Sequence, residues 1–301
     1  MGMVSAINDL AFKKALGSVE NLDILGGFIT DFFGIIPTEI VIENPYSIDV
    51  FKKSIQGEEV SELRETAKDI SALIKISSGT ANFIAELQVK KKIFYSERSV
   101  YYAFDRFCQN YNAEGQMQLD SEKKPIRYSS LKPVYALNIL GYNSFTEDTD
   151  ALRIFELYDV KNKRYPKREL IKIGYFELHK ETINTPNQGY WQDYFLGREI
   201  ADKAPAYIKK ARSAIDYINL AEEERKMVDS LMKFEDDRQD EIYTGFLEGK
   251  LEGKLEGELE GKLKGKLEDA RNMLADGISM EKISRWIGIP IDKIKKDIGT
   301  Y

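Results

Sequence analysis

The sequence predicts an α/β protein that continues into a helical tail of low complexity. Two apolar segments, 68–76 and 81–89, alternate their side chains as strands do, and the sequence SSGT between them predicts a hairpin turn. Segments 5–33 and 94–112 carry apolar residues at helical spacing on either side of this hairpin. From Leu247 to Ala270 the chain repeats a four-residue unit. These patterns indicate a sheet flanked by helices, with a long helical extension.

The composition restricts the chemistry that the chain can carry. Its 301 residues suffice for one large domain with an appendage, and 43% of them are hydrophobic. The one cysteine is Cys108 and the one histidine is His179, so a disulfide within the chain is excluded and a Cys/His zinc site is not expected. Any metal ion should therefore be a hard one, held by carboxylates.

Charge and hydropathy restrict the partners that the protein can bind and the compartment in which we expect it. No run of residues is long and apolar enough to cross a bilayer, and MGMVSAINDL lacks the pattern of a signal peptide. We therefore expect a cytoplasmic protein with no membrane partner. The net charge of -6 argues against a uniformly basic nucleic-acid binder, but it is compatible with a local basic patch.

The remaining elements follow from local patterns along the chain. Residues 35–45 indicate a short strand and a turn, and residues 132–142, 153–160 and 171–179 have the character of strands. Residues 53–65 have the character of a polar loop and residues 190–232 that of helices. The first helical region places Ile7, Leu10, Ala11 and Ala15 at helical spacing. The helix over 94–112 offers large side chains for packing, namely Tyr95, Val100, Tyr102, Phe104 and Phe107.

Glycine recurs at every fourth residue of the tail, at 245, 249, 253, 257, 261 and 265. Each glycine inside a helix costs about 0.5–1 kcal/mol relative to alanine, so an isolated helix here should be weak. The tail is either a helix stabilised by another helix, which could belong to a second copy, or a partly disordered tether. We expect a main domain over 1–235, a helical linker over 236–269 and a small helix–turn–helix-like segment over 270–301.

The stretch FIAELQVKK contains the most informative polar pattern. Glu86 and Gln88 share one face of the predicted strand, opposite Leu87, and Asp69 opens the partner strand. A hairpin brings Asp69 and Glu86 to the same open end, where two carboxylates repel each other. A divalent metal would remove this conflict, with the Leu87 carbonyl as a third oxygen ligand and water and phosphate completing the set. The alternative is a pair of edge carboxylates with no ligand.

The surrounding segments resemble the Rpn recombination-promoting nucleases, also called the PD-(D/E)XK nuclease family transposases. The resemblance rests on INDLAFKKALGSVENLDILGGFITDFFG, AELQVKKKIFYSERSVYYAFDRFCQNY, KPVYALNILGY and the LEGK tail. It implies a PD-(D/E)XK restriction-endonuclease-like core, which is a mixed sheet flanked by helices. It also implies metal-dependent cleavage of DNA phosphodiester bonds, linked to recombination or mobile elements.

The resemblance assigns roles to individual residues of this chain. Asp69 and Glu86 would bind Mg²⁺, or Mn²⁺ or another divalent ion, and Gln88 would orient the attacking water or the scissile phosphate. Asp9, with Lys13 one turn further on, matches the N-terminal motif of the family. Gln88 stands where the wider superfamily has lysine, and its amide cannot take a proton. The metal would therefore perform most of the activation of water.

Basic and aromatic residues near the predicted site are candidates for contact with DNA. They are Lys13, Lys90, Lys91, Lys92, Arg98 and Tyr101. Three lysines after a strand also occur as a solvated turn, so this assignment has a structural alternative. Two functions follow from the sequence: an Mg²⁺-dependent DNA endonuclease that self-associates through its tail, or a non-catalytic DNA- or protein-binding scaffold that retains the nuclease fold.

Overall fold

A computed structural model of the chain describes residues 8–49, 69–111, 118–126, 128–216 and 219–298. The predicted loop over 53–65 and the predicted helical residue Ile7 lie outside the described residues. The chain divides into two compact units, Met1–Asp229 and Ser230–Tyr301. In the described part of the chain, no helix combines the length and the apolar character that crossing a membrane requires.

The first unit is built on a mixed sheet. Its strands are β1 (Glu39–Ile42), β2 (Ile70–Ile76), β3 (Gly79–Gln88), β4 (Val134–Leu140), β5 (Leu152–Glu156) and β6 (Ile171–Glu177). Their order in the sheet is β1-β2-β3-β4-β6-β5. The neighbours β3 and β4 are parallel, as are β4 and β6, and the other neighbours are antiparallel. The hairpin predicted over 68–89 is present as β2 and β3.

One face of the sheet packs against helices from both ends of the unit. Phe28 is the centre of this layer, because its ring lies 4.9 Å from that of Trp191 and 6.5 Å from that of Phe83 on β3. Asn8 caps the first helix by accepting a hydrogen bond from the backbone N–H of Leu10. The helices are α1 (Asp9–Gly17), a 3₁₀ turn (Val19–Asn21), α2 (Leu22–Phe33), α4 (Pro186–Phe195) and α5 (Ala206–Ala214).

The opposite face of the sheet packs against α3 (Tyr95–Cys108). Tyr95 and Ala103 are buried there against residues of β4 and β6, in agreement with an amphipathic helix. The prediction that Val100 and Phe104 pack is wrong, since these side chains are 41% and 43% exposed. The helix faces the sheet through Tyr95, Ser99 and Ala103. The positions of its large apolar residues therefore do not predict which side of the helix is buried.

Contact between α2 and α5 leads to a stability prediction. A methyl group on Gly27 would lie 2.5 Å from ring carbons of Tyr207, whereas one on the neighbouring Gly26 would lie 3.4 Å from Ile40 Cδ1. We expect Gly27→Ala to lower the free energy of unfolding by about 1–3 kcal/mol because the ring must move. Gly26→Ala is the matched control and should be neutral or slightly stabilising, since alanine favours helices. Urea unfolding of both variants measures the difference, and equal stability would contradict this account.

The second unit contains most of α6 (Glu222–Ala275), a single helix of 54 residues, together with α7 (Met280–Ile287) and α8 (Ile291–Ile298). Its small core joins Leu267 of α6 to Ile283 and Ile287 of α7 and Ile294 of α8. The segments that the sequence divides at residue 269 therefore belong to one compact unit.

Candidate active site

The strand register brings the two predicted acidic residues together. Ile70 pairs with Ala85 in the antiparallel ladder of β2 and β3, so continuing the register by one residue sets Asp69 opposite Glu86. Directly opposed residues of an antiparallel pair project from the same face of the sheet. Both side chains therefore project from the face that carries α3, at the open end of the hairpin.

Asp69 is held by hydrogen bonds to its main chain. Its carbonyl oxygen accepts from Lys13 Nζ at 2.5 Å and from Asn44 Nδ2 at 2.9 Å. Burial raises the pKa of the Asp69 carboxyl well above its usual value, and the charge of Glu86 raises it further, against the opposing charges of Lys13 and Arg98. The protein therefore holds these two carboxyl groups in an arrangement that disfavours full ionisation of both.

Arg98 of α3 links Glu86 to Gln88, both on β3. One of its guanidinium nitrogens donates to Glu86 Oε1, and the same nitrogen donates to Gln88 Oε1 at 3.2 Å. The Gln88 amide also donates from Nε2 to the carbonyl oxygen of Lys90 at 2.6 Å. The guanidinium carbon lies 5.1 Å from the ring centre of Tyr95 and 5.8 Å from that of Tyr102, so aromatic faces help to orient it.

Lys13 lies inside the protein, with only 2% of its surface exposed. Burial lowers its pKa to about 8, although the charge of Asp69 acts in the opposite direction. This placement restricts Lys13 to the immediate surroundings of Asp69 and leaves it no open surface for contact along a DNA backbone. Asp9 opens the same helix, and its charge contributes to the raised pKa of Asp69, so α1 delivers both residues toward the acidic pair.

The other predicted DNA contacts lie between β3 and α3 or on the outer surface of α3. Lys91 and Lys92 are exposed, Lys90 is half-buried, and Tyr101 is 65% exposed with its ring 5.8 Å from that of Tyr102. The structure thus puts the lysines at the end of the strand that carries Glu86 and Gln88.

Sequence reasoning missed two apolar residues that follow these lysines. Ile93 and Phe94 are 84% and 74% exposed, and Phe94 has a left-handed backbone with a φ of 62° just before α3 begins. The signal was present, since IF directly follows KKK and precedes the helix start rather than continuing the alternation of β3. Their exposure between the three lysines and α3 makes them candidates for contact with a large ligand.

A second polar cluster lies beside the site, and the participation of Glu43 and Asn44 in it was not predicted. Glu43, directly after β1, accepts from Ser71 Oγ at 2.7 Å and from Arg106 of α3. Burial alone would raise the pKa of Glu43, but the hydrogen bonds from Arg106 and Ser71 hold it below its usual value. Asn44 accepts from the backbone N–H of Ser71 at 2.9 Å, so this turn braces β2 next to Asp69. These contacts join residues more than 20 positions apart and leave no local pattern in the sequence.

Gly141 permits the close approach of two chain segments at the C-terminal end of β3, where Gln88 lies. Its N–H donates to the carbonyl oxygen of Gln88 at 3.0 Å, and a methyl group at this position would lie 3.0 Å from the Val89 oxygen. Glycine is therefore required for the end of β4 to lie against the segment that carries Gln88.

The described residues contain no group of three or more His, Cys, Asp and Glu side chains arranged to hold a metal ion. A metal site at the hairpin would accordingly rest on two carboxylates, completed by backbone oxygen and water. Such sparse, oxygen-only coordination is the kind that Mg²⁺ accepts, because this ion commonly keeps several of its waters.

The mixed six-stranded sheet flanked by helices fits a PD-(D/E)XK nuclease fold. The chain matches the family model described as PD-(D/E)XK nuclease family transposase over residues 6–245, and it belongs to this family. The nuclease resemblance inferred from the sequence is thereby confirmed. No curated protein and no solved structure matches the chain.

Proposed function

We propose that this protein is a DNA endonuclease that uses a divalent metal ion, Mg²⁺ or Mn²⁺, to hydrolyse phosphodiester bonds in recombination or in the movement of mobile elements. The observation that carries the proposal is the register that opposes Asp69 and Glu86, together with the cations Lys13 and Arg98 from two different helices. A scaffold without catalysis gains nothing from holding two carboxyl groups at this energetic cost, which favours the enzyme.

The residues present fit a hard divalent cation. Carboxylate oxygens of Asp69 and Glu86 and the backbone oxygen of Leu87 are the ligands we assign, because oxygen donors suit such ions. The raised pKa of Asp69 reflects burial and the neighbouring negative charge of Glu86, and a bound cation would offset both. When bound, the ion would polarise the phosphate and lower the pKa of a coordinated water.

Gln88 acts as a positioning residue in this proposal, instead of orienting water as the resemblance implies. Its amide is engaged at both ends, by Lys90 and Arg98. It therefore holds the Arg98 guanidinium beside Glu86, where planar donors can bind phosphate oxygens. Lys13 supplies the second fixed positive charge, which replaces the lysine absent from the Gln88 position.

The rim of the site supplies the contacts with DNA. Lys90, Lys91 and Lys92 are placed to bind the phosphate backbone, and such contacts position the duplex without reading its sequence. Ile93 and Phe94 directly follow these lysines and are exposed. In other DNA-binding proteins, exposed apolar residues insert between base steps, and these two are placed for the same role. Tyr101 offers a ring for stacking on an unpaired base.

Replacement of Lys13 by methionine should lower the rate of DNA cleavage about 10²–10³-fold, the usual cost of removing one preorganised charge from a catalytic site. Methionine keeps most of the buried volume, so the fold should survive. Because Asp69 and Glu86 remain, Mn²⁺ should still raise the melting temperature of the variant. Cleavage rates at saturating Mn²⁺ and melting curves with and without the ion measure the two effects.

Lys226→Met is the matched control, since Lys226 lies on the surface of α6 with its side chain 72% exposed. It should cleave DNA at the rate of the unaltered protein. A Lys13→Met variant that folds and cleaves at full rate would remove Lys13 from the proposed site and leave the acidic pair untouched.

Nicking of supercoiled plasmid in Mg²⁺ or Mn²⁺ tests the proposed function itself. We expect cleavage by the unaltered protein and none by Asp69→Ala or Glu86→Ala, with melting curves confirming that both variants fold. Equal residual cleavage by all three proteins would indicate contamination and refute the assignment. Absence of cleavage together with absence of any metal-dependent rise in melting temperature would support the non-catalytic scaffold.

A further inference from the structure

The long helix α6 carries an apolar ribbon that is open to solvent. Leucine recurs at every fourth position, and the side chains of Leu247, Leu251, Leu255 and Leu259 are between 46% and 67% exposed. Further along the same series, Leu263 and Leu267 pack against the core formed with α7 and α8. The leucine series thus has a partner at its C-terminal end and an exposed segment before it.

Charged residues flank this ribbon in two separate columns. Each leucine is followed by a residue that lies about 100° to one side and preceded by one that lies about 100° to the other. The following column is acidic, with Glu248, Glu252, Glu256 and Glu260. The preceding column is basic apart from one position, with Lys250, Lys254, Glu258 and Lys262. One helix therefore presents leucine between an acidic edge and a basic edge.

The order of these columns distinguishes two ways of pairing a second copy. A two-fold axis parallel to the helices brings the acidic edge of one copy against the basic edge of the other, on both sides of the leucines. A two-fold axis perpendicular to the helices brings acid against acid and base against base. Like charges facing each other are destabilising, so the columns favour the parallel arrangement.

The isolated helix has two destabilising features that a partner helix would offset. Its acidic residues stand four positions apart, which places like charges next to each other along one edge. A methyl group added at its glycines 249, 253 and 257 would meet no atom of the described residues within 4 Å beyond the adjacent helical turns, so these glycines lower helix stability with no close packing to require them. A partner that buries the leucines and brings opposite charge to each edge would offset both costs.

The four-residue period determines the geometry of the contact. Successive leucines shift by about 40° around the helix, because four residues turn it by about 400°. A hydrophobic period longer than 3.6 residues gives a right-handed crossing, and it limits one straight contact to two or three repeats. The centre of the exposed ribbon, Leu251, Leu255 and Leu259, is the segment that fits this length.

We propose that α6 binds the same helix of a second copy of this chain, parallel and in register, through Leu251, Leu255 and Leu259. The acidic column of each copy lies against the basic column of the other. This proposal specifies the orientation of the self-association expected from the repeat, and it does not depend on nuclease activity.

Sedimentation of the full chain at micromolar concentration tests whether it is a dimer. The reversal Glu252→Lys, Glu256→Lys and Glu260→Lys should weaken the dimer at least about tenfold, because like charges then meet on both sides. Adding Lys250→Glu, Lys254→Glu and Lys262→Glu to the same chain exchanges the two columns and should restore it. A monomeric unaltered chain, or a dimer that the three reversals leave intact, would overturn the proposal.

Disulfide trapping tests the orientation. In a Cys108→Ser background, the variants Leu251→Cys and Leu259→Cys are oxidised separately and as a mixture of the two chains. A parallel pair in register joins each cysteine to its own counterpart, so each variant alone forms disulfide dimers. Dimers that form only in the mixture would show an antiparallel pair centred on Leu255 and refute the parallel arrangement. A cysteine at the exposed Lys226, away from the ribbon, controls for random collision.

Discussion

Replacement of Asp69 by asparagine is expected to abolish DNA cleavage and, in the presence of a chelator, to raise the melting temperature. Burial and Glu86 raise the pKa of Asp69 in the folded protein, so the folded state resists ionisation of this group. The penalty on the fold develops as the pH rises above the unfolded-state pKa of this group, and it is complete once the pH exceeds the raised folded-state pKa. Asparagine has nearly the same shape and removes the charge.

Melting experiments without and with metal separate the intrinsic stability of the fold from the stability gained by binding the ion. Without metal, Asp69→Asn should melt about 2–4 °C higher, which corresponds to about 1 kcal/mol in a domain of this size. With Mn²⁺ the order should reverse, because only the unaltered protein gains stability from binding the ion. Asp105→Asn, on the outer surface of α3, serves as the control and should change neither curve.

The outcome also distinguishes catalytic from structural roles of Asp69. A variant that melts lower without metal would show that the carboxylate stabilises the fold through Lys13 and Arg98. That result would contradict the charge conflict on which the metal site is based. A variant that melts higher but retains its response to Mn²⁺ would leave the electrostatics intact and remove Asp69 as a ligand.

Replacement of Asp31 by alanine should produce a large loss of stability, because this carboxylate connects three helices of the helical layer. The Asp31 carboxylate accepts from Trp191 Nε1 at 2.8 Å, from Asn187 Nδ2 at 2.8 Å and from Tyr207 Oη at 2.9 Å. It thereby joins α2 to both α4 and α5. Trp191 is fully buried, so the variant leaves its indole N–H without this acceptor.

We expect Asp31→Ala to lower the free energy of unfolding by about 3 kcal/mol or more, since hydrogen bonds to a charged group are worth about 1.5–3 kcal/mol each. Asp23→Ala on the same helix is the matched control. Its ion pair with Lys210 is exposed and should contribute less than about 1 kcal/mol. Urea unfolding measures both variants, and a loss at Asp31 no larger than that at Asp23 would contradict the anchoring role.

The local elements were predictable because their signals are periodic. Alternation over 68–89 predicted the hairpin, and the spacing of Glu86 and Gln88 put them on one face of a strand. The sequence predicted only that Asp69 and Glu86 lie near the same end of the hairpin, whereas their direct opposition depends on the observed register, in which Ile76 pairs with Gly79. Helical phase was harder to predict, because Val100 and Phe104 are large and apolar yet face solvent on α3.

The sequence by itself determined the α/β class, the hairpin, the acidic pair and the charged columns of the tail, since each depends on residues close together in the chain. Only the tertiary structure placed Lys13 against Asp69 and clasped Gln88 between Arg98 and Lys90. Those contacts depend on how α1 and α3 pack on the sheet. Packing depends on the shapes of side chains that are distant in the sequence, so the local hydrophobic periodicity does not predict it.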